Sequence, residues 1–253
     1  MFFTEKIKQI VFVILGVCCV LFNSCAKKQY QIGDIVMSDG TVVSKDSYLS
    51  YKGKEKPVAV IFTVNGVQKG DSKRVIGVGL FESDSIVSFA EDNSSGDNTN
   101  FLFNRAYVIN QRFDSSTGFY INDGFSGDID GEDSWKNVSR RDKTAKENMY
   151  SVYPAYAFAE KYGTKKECGK FDSTDWYLPT VAELYEMFEN KALLNEVIEA
   201  CGGDILDHRI WSCSQDYYMK DVQLLLDMET GEVRKAFKDS QAHVRSVYCF
   251  ADR

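Results

Sequence analysis

No C-x-x-C pair and no cysteine–histidine cluster occurs in this sequence, so its thiols and imidazoles are not spaced to hold a structural zinc. Histidine itself is scarce. His208 and His243 are the only two, neither belongs to an H-E-x-x-H, and no serine sits in a G-x-S-x-G elbow. Each histidine therefore reads as a solitary surface or core residue, and no nucleophile, base or metal is set up for enzymatic work. A basic stripe is missing too. The net charge is −7, and the lysine- and arginine-containing segments at 52–56, 140–146 and 161–166 are interrupted by acidic or polar residues, which argues against nucleic acid and anionic surfaces as partners. Gly77-Val78-Gly79 lacks the third glycine and the following helix that a dinucleotide loop requires. Beyond the first 24 residues, no apolar run approaches the ~20 residues that span a bilayer.

What is present begins at the N-terminus. Lys6 and Lys8 precede an apolar run at 10–22, and Ser24 stands immediately before Cys25. A basic region, a short apolar stretch and a small residue beside an acylatable thiol make a lipoprotein signal peptide over 1–24, with Cys25 as the lipidated residue. The run is too short for a membrane helix and ends at Asn23. Cleavage would remove Glu5, Lys6 and Lys8, a net +1, and move the charge from −7 to −8. The expected organisation is a tether at 25–32 and one domain over 33–253, anchored by lipid to a bacterial membrane. The outer membrane, with the body at the surface, is the preferred location. Cys168, Cys201, Cys213 and Cys249 remain for the body; three disulfide pairings are open to them, and buried free thiols are an equal expectation.

The patterning predicts strands first. A hairpin is expected around Asp39-Gly40, buried strands at 57–64 and 75–81, and a polar, loop-rich part at 88–148. Within that part, residues 122–133 carry five carboxylates among glycines. Their spacing misses the regular EF-hand loop, so solvated turns are expected, with calcium the one cation the stretch would suit. Helices are expected only in the second half: one at 151–162 ending at Gly163, one opened by the Thr180-x-x-Glu183 capping box, and one at 191–201. Strands return at 209–214, 221–228, 232–238 and 243–250, the middle pair joined by Glu229-Thr230-Gly231.

The segments Trp176-Tyr177-Leu178-Pro179-Thr180-Val181-Ala182-Glu183-Leu184, Ile210-Trp211-Ser212-Cys213-Ser214 and Val244-Arg245-Ser246-Val247 resemble, in that order, the Lcl C-terminal domain family (DUF1566). The resemblance covers about residues 33–250 and is strongest after Trp176. It implies an α+β, C-type lectin-like domain of the formylglycine-generating-enzyme type, with antiparallel strands, two or three helices and long irregular loops. Cys213 replaces the second serine of that family's W-S-S. If the two strands concerned are neighbours, Cys213 would pair with Cys249, a bridge worth ~3–4 kcal/mol. A catalytic thiol at Cys213 is the lesser reading, since no second cysteine stands close to it.

The expected function is a non-enzymatic binding or adhesion module needing no cofactor. Loops at 91–147 and 204–220 would present Asp123, Asp128, Asp130, Trp135, Tyr217 and Tyr218 to a glycan or to a host or matrix protein. A structural envelope lipoprotein is the alternative.

Overall fold

Alternation around Asp39-Gly40 folds as a hairpin because glycine takes the left-handed turn at low steric cost: β1 (Ile35–Met37) pairs antiparallel with β2 (Val42–Val43), and Gly40 has φ 83°. The computed structural model describes residues 30–67, 74–97, 99 and 104–251; the expected signal peptide, Cys25 and the expected tether up to residue 29 lie outside them. The apolar runs form β3 (Pro57–Thr63) and β4 (Val75–Glu82), and β14 (Arg245–Ala251) closes an antiparallel sheet of order β14-β4-β3-β1-β2. Gly77 and Gly79 sit inside β4 and make room for rings. A Cβ on Gly79 would lie 2.5 Å from Tyr162, and one on Gly77 would lie 2.7 Å from Phe250.

The second sheet is assembled from β6 (Arg105–Val108), β9 (Phe125–Gly127), β10 (Arg209–Asp216), β11 (Val222–Asp227) and β12 (Val233–Phe237), in the order β12-β11-β10-β6-β9. Its β10–β6 pair is parallel and the others are antiparallel. Two small ribbons, β5 (Val87–Ser88) with β13 (Gln241–Ala242) and β7 (Gln111–Asp114) with β8 (Phe119–Asn122), complete the strands. The stretch expected to be loop-rich therefore contains β6–β9. It also contains two short helices, α2 (Ser134–Arg141) and α3 (Lys143–Glu147); α4 (Met149–Val152) follows directly, and α1 (Lys45–Tyr48) lies in the first half. The physical reason is length: strands of three or four residues and helices of four to eight show too few apolar repeats to betray a period.

The long helices follow the sequence signals more closely. Pro154 opens α5 (Pro154–Lys165), where its missing N–H costs nothing. Gly163, expected to stop this helix, lies within it; a Cβ there would come within 2.5 Å of the Phe171 carbonyl and 2.7 Å of the Trp176 indole. Thr180 and Glu183 form the expected reciprocal cap on α6 (Val181–Glu189), and α7 (Lys191–Ala200) follows directly.

Residues 31–253 make one compact unit with two apolar clusters. One joins Val60, Phe62, Val78, Leu184, Met187, Ile198, Leu224 and Leu226; the other joins Phe89, Tyr153, Tyr156, Trp211, Cys213 and Leu225. Alternate residues of β11 enter each cluster, so the whole strand is buried. The architecture is mixed α+β with mainly antiparallel sheets.

Candidate functional site

Three segments distant in sequence converge at the start of α6. Tyr177 exchanges both backbone hydrogen bonds with Val247 of β14 at 3.0 Å, the Cys213 N–H of β10 donates to the Pro179 carbonyl at 2.8 Å, and the Val181 N–H donates to Ser214 Oγ at 3.0 Å. The Thr180 N–H donates to Glu183 Oε2 at 2.7 Å, and the Tyr177 hydroxyl donates to Oε1 at 2.8 Å. Glu183 is fully enclosed, and burial pushes its carboxyl up to about 7 against the opposing effect of these bonds. Gly131 packs on this cap, with its Cβ position 2.7 Å from the Leu178 carbonyl, and Thr180 Oγ1 donates to the Ile129 carbonyl at 3.1 Å. The helix start thereby fixes the acidic loop above it.

That loop walls an open cavity of about 900 Å³. Asp128, Asp130, Glu132 and Asp133 come from the loop, Glu160 from α5 and Asp175 from the segment before Trp176. Trp135, Tyr156, Trp176, Tyr177 and Tyr248 supply aromatic surface, and Lys136 is the basic residue in the lining. Asp130 and Glu132 are both bound by the guanidinium of buried Arg74, so a cation already serves two carboxylates of the stretch considered for calcium. Burial holds Asp128 up at about 6, with the nearby charges of Asp133 and Asp130 adding to it and the Asp130 N–H opposing it. Burial alone raises Glu160 to about 7.

A testable consequence attaches to Asp128. Because its folded value exceeds the ordinary aspartate value of 3.8, the associated stability is fully present below pH ~4 and is lost as pH rises through about 6. The shift corresponds to roughly 3 kcal/mol undiscounted, and about 1 kcal/mol after allowing for solvent screening of a half-buried group. Asp128→Asn should therefore be about 1 kcal/mol more stable than wild type at pH 7.5 and equal to it at pH 3.5. Chemical denaturation at the two pH values checks this; an equal change at both would discount the carboxylate's ionisation as the cause.

The residues singled out in the sequence fall at three places. Asp128, Asp130 and Trp135 line the cavity. Asp123 lines a smaller pocket of about 340 Å³ with Phe125, Tyr185, Glu186 and Glu189. Tyr217 and Tyr218 are exposed on an aromatic ridge, where Tyr217 meets Tyr107 edge-on at 5.4 Å beneath Arg105. Cys213 and Cys249 are not joined to each other in the structure, which departs from the disulfide implied by the resemblance. Their strands belong to different sheets, and the Tyr177–Pro179 segment bonds to one on each side, so β10 and β14 are not neighbours there. Burial raises the Cys213 thiol well above its ordinary range, keeping it protonated at neutral pH and unsuited to nucleophilic work.

Sequence reasoning gave no site role to Arg74, Glu160, Asp175, Tyr177 and Tyr248; Tyr177 lies in the segment that carries the resemblance, and Arg74, Glu160 and Tyr248 belong to no local motif. It also separated the two histidines. Their rings stack with centroids 4.3 Å apart beside Glu82.

No family model and no curated protein sequence matches the chain. Among solved structures, a fimbrial protein from Bacteroides ovatus is similar at TM-score 0.57 and 14% identity, over 87% of this chain and 48% of that one. The chain thus spans about half the length of that protein, and the likeness is one of fold.

Proposed function

We propose that this chain is a lipid-anchored cell-envelope module that binds a glycan without chemical turnover, using the cavity between the acidic loop and Trp176. The observation that carries the reading is the gathering of six carboxylate side chains around one open space together with the half-buried rings of Trp135 and Tyr248. Carboxylate oxygens accept hydrogen bonds from sugar hydroxyls, and indole and phenol faces cover the apolar C–H faces of a pyranose. The same acidity disfavours sialylated or uronic sugars and favours neutral or amino sugars. The resemblance to the lectin-like Lcl family supports this reading, and a surface role agrees with the fimbrial protein that shares the fold.

The test is a glycan-array screen of the full chain in detergent, followed by titration of any hit against Trp135→Ala and Asp175→Asn. Asp175 is exposed, so its substitution leaves the core intact. Loss of the Trp135 ring should weaken binding by about 2 kcal/mol, roughly 30-fold. A hit whose affinity both variants retain would move the binding surface away from the cavity. Absence of any hit would sink the glycan reading.

A further inference from the structure

We infer that Glu82, His208 and His243 form a binding site for a divalent transition metal, with zinc the ion their donor chemistry fits. The chain has two histidines in 253 residues, and the fold stacks them on one another beside a single buried carboxylate. His208 Nδ1 lies 2.9 Å and His243 Nδ1 lies 3.4 Å from the same oxygen, Glu82 Oε1. One ligand atom from each of the three residues lies within 4.8 Å of the others. Tetrahedral zinc with bonds of ~2.0–2.1 Å places its ligand atoms about 3.3 Å apart, close to the two nitrogen–oxygen spacings, and the near-parallel rings, 18° between planes, must turn about their Cβ–Cγ bonds to bring both in-plane lone pairs onto an ion.

Two features separate this cluster from a chance meeting of polar side chains. The first is unmet bonding capacity: Glu82 Oε2 and His243 Nδ1 are both buried and lack a hydrogen-bond partner among the described residues. Glu82, whose side chain is 10% exposed, is a carboxylate an ion would complete. The second is rigid support for every ligand. Glu82 ends β4 opposite Arg245 of β14. The His243 N–H donates to the Arg209 carbonyl at 3.0 Å, and the His243 carbonyl accepts from Trp211 at 2.9 Å. The His208 carbonyl accepts from the Met228 N–H at 3.0 Å. Backbone ladders thus set the three Cα positions before any ion arrives.

The charges around the cluster are consistent with a divalent guest. Asp207 Oδ1 lies 3.2 Å from His208 Nδ1, and the Glu82 N–H donates to Asp204 Oδ2 at 3.2 Å, with the buried guanidinium of Arg245 opposing them. Three protein ligands leave a fourth position for water or an incoming donor, reached from the side of His208, which is 48% exposed. This site shares no residue with the cavity lining and stands whether or not the cavity binds sugar.

The test uses the full chain in detergent, purified without a histidine tag and stripped with chelator. Zinc is titrated by calorimetry, and cobalt(II) is followed by its visible absorption as a report on coordination. One equivalent of zinc should bind, with cobalt bands of a low-coordinate N/O site. His208→Ala, at a half-exposed position, should weaken zinc on the order of 100-fold while leaving the metal-free melting temperature unchanged; Glu82→Gln should weaken it as well. Uptake below one equivalent, or affinity in His208→Ala within threefold of wild type, would overturn the assignment.

Discussion

Arg245→Met is expected to destabilise the protein by about 3–5 kcal/mol. The side chain is fully buried, and its guanidinium donates to the carbonyls of Leu80 at 2.8 Å, Ile205 at 3.0 Å and Gly79 at 3.2 Å, and to that of Asp204. Methionine fills most of the volume and supplies none of these donors. A buried carbonyl left without a partner costs about 1–3 kcal/mol, and removing one member of a buried charged network falls in the range given above even after relaxation. Lysine, with three donors on a single nitrogen in place of a planar fork, should recover only part of the loss. Urea denaturation decides the matter: a shifted midpoint at constant slope is the expected result, and a methionine variant within 1 kcal/mol of wild type would show that the carbonyls find other partners.

Trp176→Ala should cost about 3–5 kcal/mol as well, for a different reason. The indole is completely enclosed, with ring centroids 4.6 Å from Tyr162 and 5.3 Å from Tyr248, and its Nε1–H donates to the Phe171 carbonyl at 2.9 Å. Gly163 is shaped to this ring, since any side chain there would strike it. Truncation therefore opens a void that a packed helix cannot close, and it orphans a carbonyl. Trp176 backs the cavity wall from within the core, so the same change should also loosen that wall. Trp176→Phe separates the two effects: it keeps ring volume, loses the hydrogen bond, and should cost less than half as much. Thermal and urea unfolding of the pair check this; an alanine variant less than 2 kcal/mol below wild type would mean that the site collapses around the gap.

Much of the framework was legible because its signals are local. Asp39-Gly40, Glu229-Thr230-Gly231 and the Thr180–Glu183 box each act within four residues, and the structure contains all three as read. Gly163 shows the limit of such reading. A glycine near the end of a helical pattern signals a stop, yet here its bare Cα serves a ring that arrives from Trp176, 13 residues on. The region 104–148 was misread for a related reason: β7 exposes most of its side chains and is held by pairing with β8, information that a four-residue stretch does not contain.

The candidate site was legible only in part. Asp128, Asp130 and Trp135 drew notice by type and crowding, and they do meet. Their partners Arg74, Glu160 and Tyr248 come from a strand edge, a helix face and the final strand, and nothing in their own neighbourhoods distinguishes them.

From the order of residues alone came the buried strands, the hairpins, the capped helix and the net negative charge, because propensity, capping and periodicity act over a few residues. Tertiary structure alone decided that Cys213 and Cys249 stay apart, that Arg74 serves the acidic loop, and that His208 and His243 share Glu82. Those outcomes depend on which strands become neighbours, and neighbourhood across sheets is set by the packing of the whole core, to which no single segment holds the key.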